Sequence, residues 1–520
     1  MAQKYHKINL QNTKFPMLSE EQTRTIIGTA AGAEESLSNE RPAIQYCHNI
    51  MPSEYGLDSV GFTSVVLAPT DSAFVADVDD TRIIYGSRGS RIYLTWDRVG
   101  NIYALLPLAT AWLTLPPIGN GIKRKDFTAN SVTIGTVNGV SYIHFANIQT
   151  FIYNESNDSL LEVELLGLDI ADVIGVVASS GYLIAYTTTA LAWSSTIDPT
   201  DFIPDQVTGA GGGNVDGTEG EIQFCLSNSL GILIYTFANV VAGTYTGNVL
   251  YPFKFRPVDD SKGGITLDRV AYEANATEQF AYTKGGLQAI TSNKASNILP
   301  EVTDFLSGKR FEDFDEETNE YIHVNLPVQY TMLKKIKYIA SRYLVISYGL
   351  PSTVKYPGGI RASGNFTHAL VYDTALNKLG KLKLEHSDVF EYVGEQTEIA
   401  KETVAFLLPS GEVKTLHSSV LLDSYGVLIL GKLQEVRERM VQLLAVELEN
   451  IPLGSDVECI DMAALKGKKD ITLYPGYLGT KEGNYAEYLF RNTAKNHTLL
   501  LKGRFNLVTV LVRYALAGRR

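Results

Sequence analysis

The chain has 520 residues, with 45 Lys and Arg against 57 Asp and Glu, a net charge of −12. At 45% hydrophobic and 20% charged residues it is globular and too rich in apolar groups to be disordered. The acidic balance excludes a protein that coats DNA or a membrane uniformly. The 29 Tyr and 20 Phe, among many Val, Ile and Thr, suit half-buried pleated surfaces and predict a mostly β chain.

In chain order, residues 1–55 read as an extended N-terminal arm with polar punctuation. The opening MAQKYHKINLQNTKFP has no apolar core segment, so no signal peptide is visible. No apolar run approaches the roughly 20 residues of a membrane-spanning helix. From about 56, short apolar runs recur between tight turns. RIIYGSRGSRIYLTWDRVGNIYALL (82–106) reads as three strands turning at Arg88-Gly89 and Val99-Gly100-Asn101. SVTIGTVNGVSYIHFANIQTFIYN (131–154) places Asn138-Gly139 between alternating runs, the strongest short hairpin signal. Further hairpins turn at Ser180-Gly181, Ser229–Gly231 and Gly285-Gly286, and the series continues through 336–349, 367–384 and 403–418. Groups of strands spaced by roughly 40–60 residues fit a radial array of blades, with a pair of β-sandwiches as the rival. VLILGKLQEVRERMVQLLAVELENI (427–451) has helical spacing in its first half and strand spacing in its second. Two strand-rich runs follow, 470–480 and 502–518, and place a separate β domain from about 422.

Residues that carry chemistry are scarce. The eight histidines have neither HExxH nor HxH spacing, and Cys47, Cys225 and Cys459 make neither a disulfide framework nor a CxxC pair. Three unpaired cysteines imply folding in a reducing compartment. GAGGGN (209–214) fails the dinucleotide fingerprint and precedes a strand-like run, so it reads as a flexible loop. EDFDEETNE (312–320) lacks the alternating ligands and turn glycine of a calcium loop and reads as a solvated acidic loop, as does DVDD (77–80). In LAWSSTIDPTDFIPD (191–205), Ser194, Asp198 and Asp201 invite a hydrolase or metal reading. A structural turn is the better one: Pro199 presets its φ, Asp198 accepts backbone N–H groups, and Phe202 packs back on the sheet beside Trp193. Charge is uneven. Residues 466–520 carry eleven Lys and Arg against three acids, a local +8 that leaves −20 elsewhere.

The stretch LAWSSTIDPTDFIPD (191–205) resembles a turn recurring in the β-propellers of phage tail proteins. ILIYTFANVVAGTYTGNVLYPFKFRPVDDSKGGI (232–265) is similar to a passage of the tail nozzle proteins of short-tailed bacteriophages, also called tail hub or packaged-DNA stabilisation proteins. AYEANATEQFAYTKGGLQAI (271–290), HALVYDTALNKLGKLKLE (368–385) and the final basic strand ending RYALAGRR resemble the same family. The resemblance implies an all-β fold: an irregular β-propeller of about six to eight blades over 56–421, with an additional C-terminal β domain over 422–520. It also implies two strands joined near Arg437–Arg439.

Functionally, the resemblance implies a non-enzymatic virion protein of the tail, made in the host cytoplasm and without cofactor or metal. Its partners would be itself as a homohexamer, the tail adaptor or head–tail connector proteins, and tail fibres or spikes. Double-stranded DNA would pass through its channel without sequence recognition. Acids lining such a bore would repel duplex DNA, which carries one charge per roughly 1.7 Å, and keep it mobile. The basic end, with Arg513, Arg519 and Arg520, is the expected contact to neighbouring subunits or the adaptor. The rivals are a glycan-binding or glycan-cleaving propeller of the sialidase kind and an intracellular protein-binding scaffold. A glycosidase needs two carboxylates about 5–9.5 Å apart across a sugar-sized space.

Overall fold

The computed structural model describes residues 3–10, 25–27, 44–66, 78–97, 101–106, 109–116, 132–249, 251–273, 276–308, 310–327, 329–355, 361–393, 404–417, 424–435, 440–452, 456–464, 471–494 and 496–516. The chain forms two compact units. One, here the propeller unit, comprises 64–367 and 385–414. The other, the terminal unit, gathers 1–63, 368–384 and 415–520.

In the propeller unit the strands pair locally, each with the next in sequence, because tight turns hold the register. At the turn after Val132–Val137, Asn138 and Gly139 have φ of 53° and 76°, the left-handed pair that a two-residue hairpin needs. Five consecutive four-stranded antiparallel sheets result. Their first strands are Val78–Tyr85, Val132–Val137, Gly175–Ser179, Ile222–Asn228 and Val270–Ala271. Two further strand pairs follow: Leu333–Ile339 with Tyr343–Gly349, and Asp388–Glu391 with Val404–Leu407.

The first strands pack side by side. The first sheet lies against the second, the second against the third, the third against the fourth, the fifth against Leu333–Ile339, and that strand against Asp388–Glu391. The strand Asp388–Glu391 returns to Val78–Tyr85 and closes the ring. Between the fourth and fifth sheets, Gln279 accepts from the Tyr235 hydroxyl at 2.8 Å and donates to Ser227 O at 2.9 Å. The apolar clusters lie between neighbouring sheets, as a propeller requires. Ile84, Leu94, Ile143 and Phe151 join the first to the second. Tyr142, Val176, Leu183 and Phe202 join the second to the third. Val78, Tyr93, Phe390 and Leu407 join the last to the first. The chain is therefore an all-β protein of propeller-like architecture.

Two segments differ from their sequence reading. GAGGGN is not a loop throughout: Gly211–Asn214 is the outer strand of the third sheet, paired with Ala190–Trp193. The glycines allow close approach, since a Cβ on Gly212 would lie 2.7 Å from Leu191 O and one on Gly211 3.2 Å from the Trp193 indole nitrogen. EDFDEETNE is not a solvated loop either. It is a hairpin, Arg310–Asp315 with Glu320–Asn325, whose Phe311, Asp313 and Phe314 are buried. The aromatic residues between the acids fix it to the core.

The terminal unit holds two six-stranded sheets. In one, Gln3–Asn9 pairs with Thr509–Leu516, which pairs with Val441–Glu449. In the other, Gly426–Glu435 lies between Ile44–His48, Thr25–Ile27 and Asn496–Gly503. The described parts of the expected arm thus supply strands to these sheets. Residues 427–451 contain two strands, Gly426–Glu435 and Val441–Glu449, while Arg437–Arg439 lie outside the described residues.

A buried ion pair within the second of these sheets also reaches the first. His497 Nδ1 is 2.6 Å from Asp461 Oδ2, and Nε2 is 2.9 Å from Val441 O. Both ring nitrogens face acceptors, so both carry protons and the ring is an imidazolium. Burial opposes that charge, but the bond to and charge of Asp461 outweigh it and raise the His497 pKa. All three cysteines are buried, and burial pushes the Cys47 thiol up to about 12.

Candidate functional site: buried charges on the propeller's inner rim

Three neighbouring inner strands bring five charges together. On Val78–Tyr85, Asp80 and Arg82 share one face because strand side chains alternate. Lys335 and Lys337 do the same on Leu333–Ile339, and Asp388 opens the strand between them in the ring. Lys335 Nζ sits 3.1 Å from Asp80 Oδ1 and 2.8 Å from Asp388 Oδ1, bridging the two carboxylates. Lys337 Nζ bonds Asp80 Oδ1, donates to Thr81 O at 3.3 Å and lies 3.9 Å from Asp388 Oδ2. Arg82 Nε donates to Asp80 Oδ2 at 2.7 Å, and its guanidinium lies 5.3 Å from the Tyr272 ring centroid. Side-chain exposure runs from 0% at Asp388 to 18% at Arg82.

Three cations around two carboxylates set the protonation states. Burial works against the Asp80 charge, but Arg82, Lys335 and Lys337 outweigh it and hold the carboxyl well below its usual range. Lys337 is pulled down to about 8, chiefly by burial and then by the charge of Arg82, against the attraction of Asp388 and Asp80. DVDD is thus no solvated acidic loop in its described part: Val78–Asp80 lies in a strand, and Asp80 is the hub of the cluster. Asp77 lies outside the described residues. The signal in the sequence is the pair of charge-x-charge steps, Asp80-x-Arg82 and Lys335-x-Lys337, inside apolar strands.

Beside the cluster is a cavity of about 20 Å³ lined by Arg82, Thr133, Val177, Cys225 and Ser227 from successive inner strands and by Tyr272. It has room for about one water molecule. An open cleft of about 360 Å³ in the terminal unit is bordered by Asp456, Glu458, Cys459, Gly476, Lys481 and Tyr488. Its Lys481–Asp456 pair, at 3.7 Å, lies at the water-exposed edge.

The turn residues lie elsewhere. Ser194 is fully buried: its Oγ accepts from Leu183 N–H at 3.1 Å and donates to Ser195 O at 3.1 Å. Asp198 Oδ1 accepts from the Thr200 backbone N–H at 2.9 Å and hydroxyl at 2.7 Å. Pro199 is half-buried between them. Phe202 is buried, but not beside Trp193. It joins the cluster between the second and third sheets, with Ala192, whereas Trp193 packs toward Phe253, ring centroids 6.3 Å apart. Successive strand residues face opposite sides, so Trp193 and Ala192 cannot share a neighbour of this kind. Arg513 bonds Glu487 within the terminal unit, and Arg519 and Arg520 lie outside the described residues.

Fold and rim together define a propeller-like all-β protein whose inner rim packs three cations around two carboxylates. No family profile and no curated protein matches the chain. Among solved structures it is similar to the WD40 β-propeller domain of Doa1, at 8% identity and a TM-score of 0.35, over 69% of this chain and 97% of that one. Among the described residues no helix is long and apolar enough to cross a membrane.

Proposed function

We propose that the chain is a structural subunit of a short-tailed phage tail, a nozzle that forms a ring-shaped channel for genomic DNA. The reading starts from the family resemblance, two of whose passages fall on successive strands of the fourth and fifth sheets, Gly231–Thr236 through Gly286–Ile290. The observation that carries it against the glycan-cleaving rival is the use of the inner rim. A glycosidase needs a protonated carboxyl and a second carboxylate with a sugar between them. Here the ammonium of Lys335 occupies the space between Asp80 and Asp388, Asp80 is held ionised, and the adjoining cavity fits one water. The charges pair with one another across three neighbouring strands, which supports a structural role for the rim.

In this reading the partners are further copies of the chain in a hexamer, the adaptor above it and fibres beside it, and duplex DNA traverses the assembly rather than the filled rim of one propeller. Negative-stain microscopy of the purified full-length protein tests it. Six-fold rings with a central hole are expected. A monomer that cleaves fluorogenic sialosides or other glycosides would overturn it.

A further inference from the structure

From Asp126 to Phe253 the chain carries thirteen Asp and Glu and not one Lys or Arg. The other residues hold 45 cations and 44 acids, so this one stretch accounts for the entire negative balance. Its described part is the second, third and most of the fourth sheet of the propeller. Most of the acids, among them Glu162, Asp169, Asp205 and Glu219, are exposed. This sector therefore presents charge of one sign to solvent.

The same sector exposes large apolar side chains: Leu166 (41%), Ile197 (77%), Ile203 (54%), Val207 (85%), Val249 (44%) and Tyr251 (73%). They occupy three loops that touch. Leu166 N donates to Thr200 O at 2.8 Å and Phe202 N to Leu166 O at 2.9 Å. A Cβ on Gly167 would meet Ile203 at 3.1 Å, and one on Gly209 would meet Val249 at 2.6 Å. Asp169, Asp198 and Asp205 are exposed within a few residues of these apolar side chains. An exposed apolar surface with a rim of one sign marks a docking site, and the rim selects a partner of the other sign.

The chain itself carries that complement. Residues 466–520 hold eleven Lys and Arg against three acids; Lys502 is buried and Lys481 and Arg513 face Asp456 and Glu487, while Arg491 is exposed. We propose that the acidic, apolar patch on the third and fourth sheets docks the basic C-terminal region of a second copy of this chain. Patch and complement are different segments of the chain, so the contact is heterologous. It propagates head to tail and closes into a ring or grows into a filament. The inference rests on the nozzle reading only for closure into a ring.

The test uses the full-length protein, with assembly followed by light scattering and microscopy at low and high salt. One variant carries Ile197→Lys and Tyr251→Lys, the other Arg491→Glu, Arg519→Glu and Arg520→Glu, with circular dichroism to verify folding. Should the patch variant fail to fold, the milder Ile197→Ser with Tyr251→Ser takes its place. Wild type is expected to assemble, less strongly at high salt. Each variant alone should lose at least tenfold in association. Mixed together they should form dimers and nothing larger, because one intact patch then meets one intact C-terminal region. Variants that assemble like wild type overturn this inference and leave the ring reading standing. A wild type that stays monomeric overturns both.

Discussion

The propeller rim and the terminal unit each bury charge, but they respond to protons in opposite senses. On the rim, cations outnumber carboxylates, and the strained member is a lysine pulled down to about 8 by burial and by Arg82. Between the two terminal sheets, one histidine is kept charged because Asp461 outweighs its burial. A third buried group separates burial from partnership. His144, in the propeller's second sheet, faces the Thr150 hydroxyl at 2.9 Å and Val173 O at 3.0 Å, and burial pulls it down to about 4. A hydroxyl supplies the hydrogen that a neutral ring nitrogen accepts, whereas a carboxylate demands one. The partner, more than the depth, decides whether a buried histidine is charged.

The largest effect is expected from removing a rim carboxylate. Asp388→Ala removes the fully buried carboxylate that faces Lys335, itself 6% exposed, and lies 3.9 Å from Lys337. Stranding buried cations costs about 3–5 kcal/mol, read as a lowered midpoint in urea unfolding of the full-length chain. A change under about 1 kcal/mol, within the range of ordinary surface substitutions, would show that water reaches the cluster. Replacing Asp388 and Lys335 together by Leu and Met should recover much of the loss, because an apolar pair can substitute for a buried ion pair.

The two groups, His497 and Lys337, give pH profiles of opposite slope. The folded state holds the His497 proton above the pH at which the unfolded chain releases it. Its stabilisation is complete below about pH 6.5 and is lost as pH rises through the elevated folded value. His497→Gln should lower stability by about 2 kcal/mol at pH 6, the worth of a charged hydrogen bond, and by less at pH 9. Lys337 has the reverse sign. Folded, it releases its proton near 8, whereas an unfolded lysine keeps it to about 10.4. In that interval the unfolded state binds more protons, so this group makes stability rise with pH. Lys337→Met should flatten the rise and raise stability at pH 7. Denaturant titrations across pH 6–10 on the two variants read both slopes, and slopes of the same sign would contradict the assignment.

The parts of the fold that were legible in the sequence are those with local causes. Asn138-Gly139 specifies its hairpin from two residues, and the alternation around it identifies the faces. The rim has no local cause. Asp80 and Lys337 are 257 residues apart, and only closure of the ring of strands makes them neighbours. Seen alone, DVDD has the charge density of a solvated loop. GAGGGN has the composition of a flexible one until Trp193 and Leu191 show why an outer strand must lack side chains there. His497 sits in a polar run, RNTAKNHT, and Asp461 lies 36 residues earlier on another strand of the same sheet.

The smallest effects divide the turn at 193–202 into a buried half and an exposed half. Ser194→Ala removes the acceptor of Leu183 N–H, which is enclosed with no water to replace it. The cost is about 1–2 kcal/mol, that of an unsatisfied buried donor. Asp198→Ala removes bonds to Thr200 at an exposed site where water substitutes, and about 0.5 kcal/mol is expected. A chemical role for the pair would reverse the order of interest, because Asp198 would then be indispensable to activity and Ser194 would need access to solvent. Comparing the two unfolding midpoints tests this. A cost at Asp198 equal to or larger than that at Ser194 would mean that the turn, and not the strand end behind it, organises this corner of the third sheet.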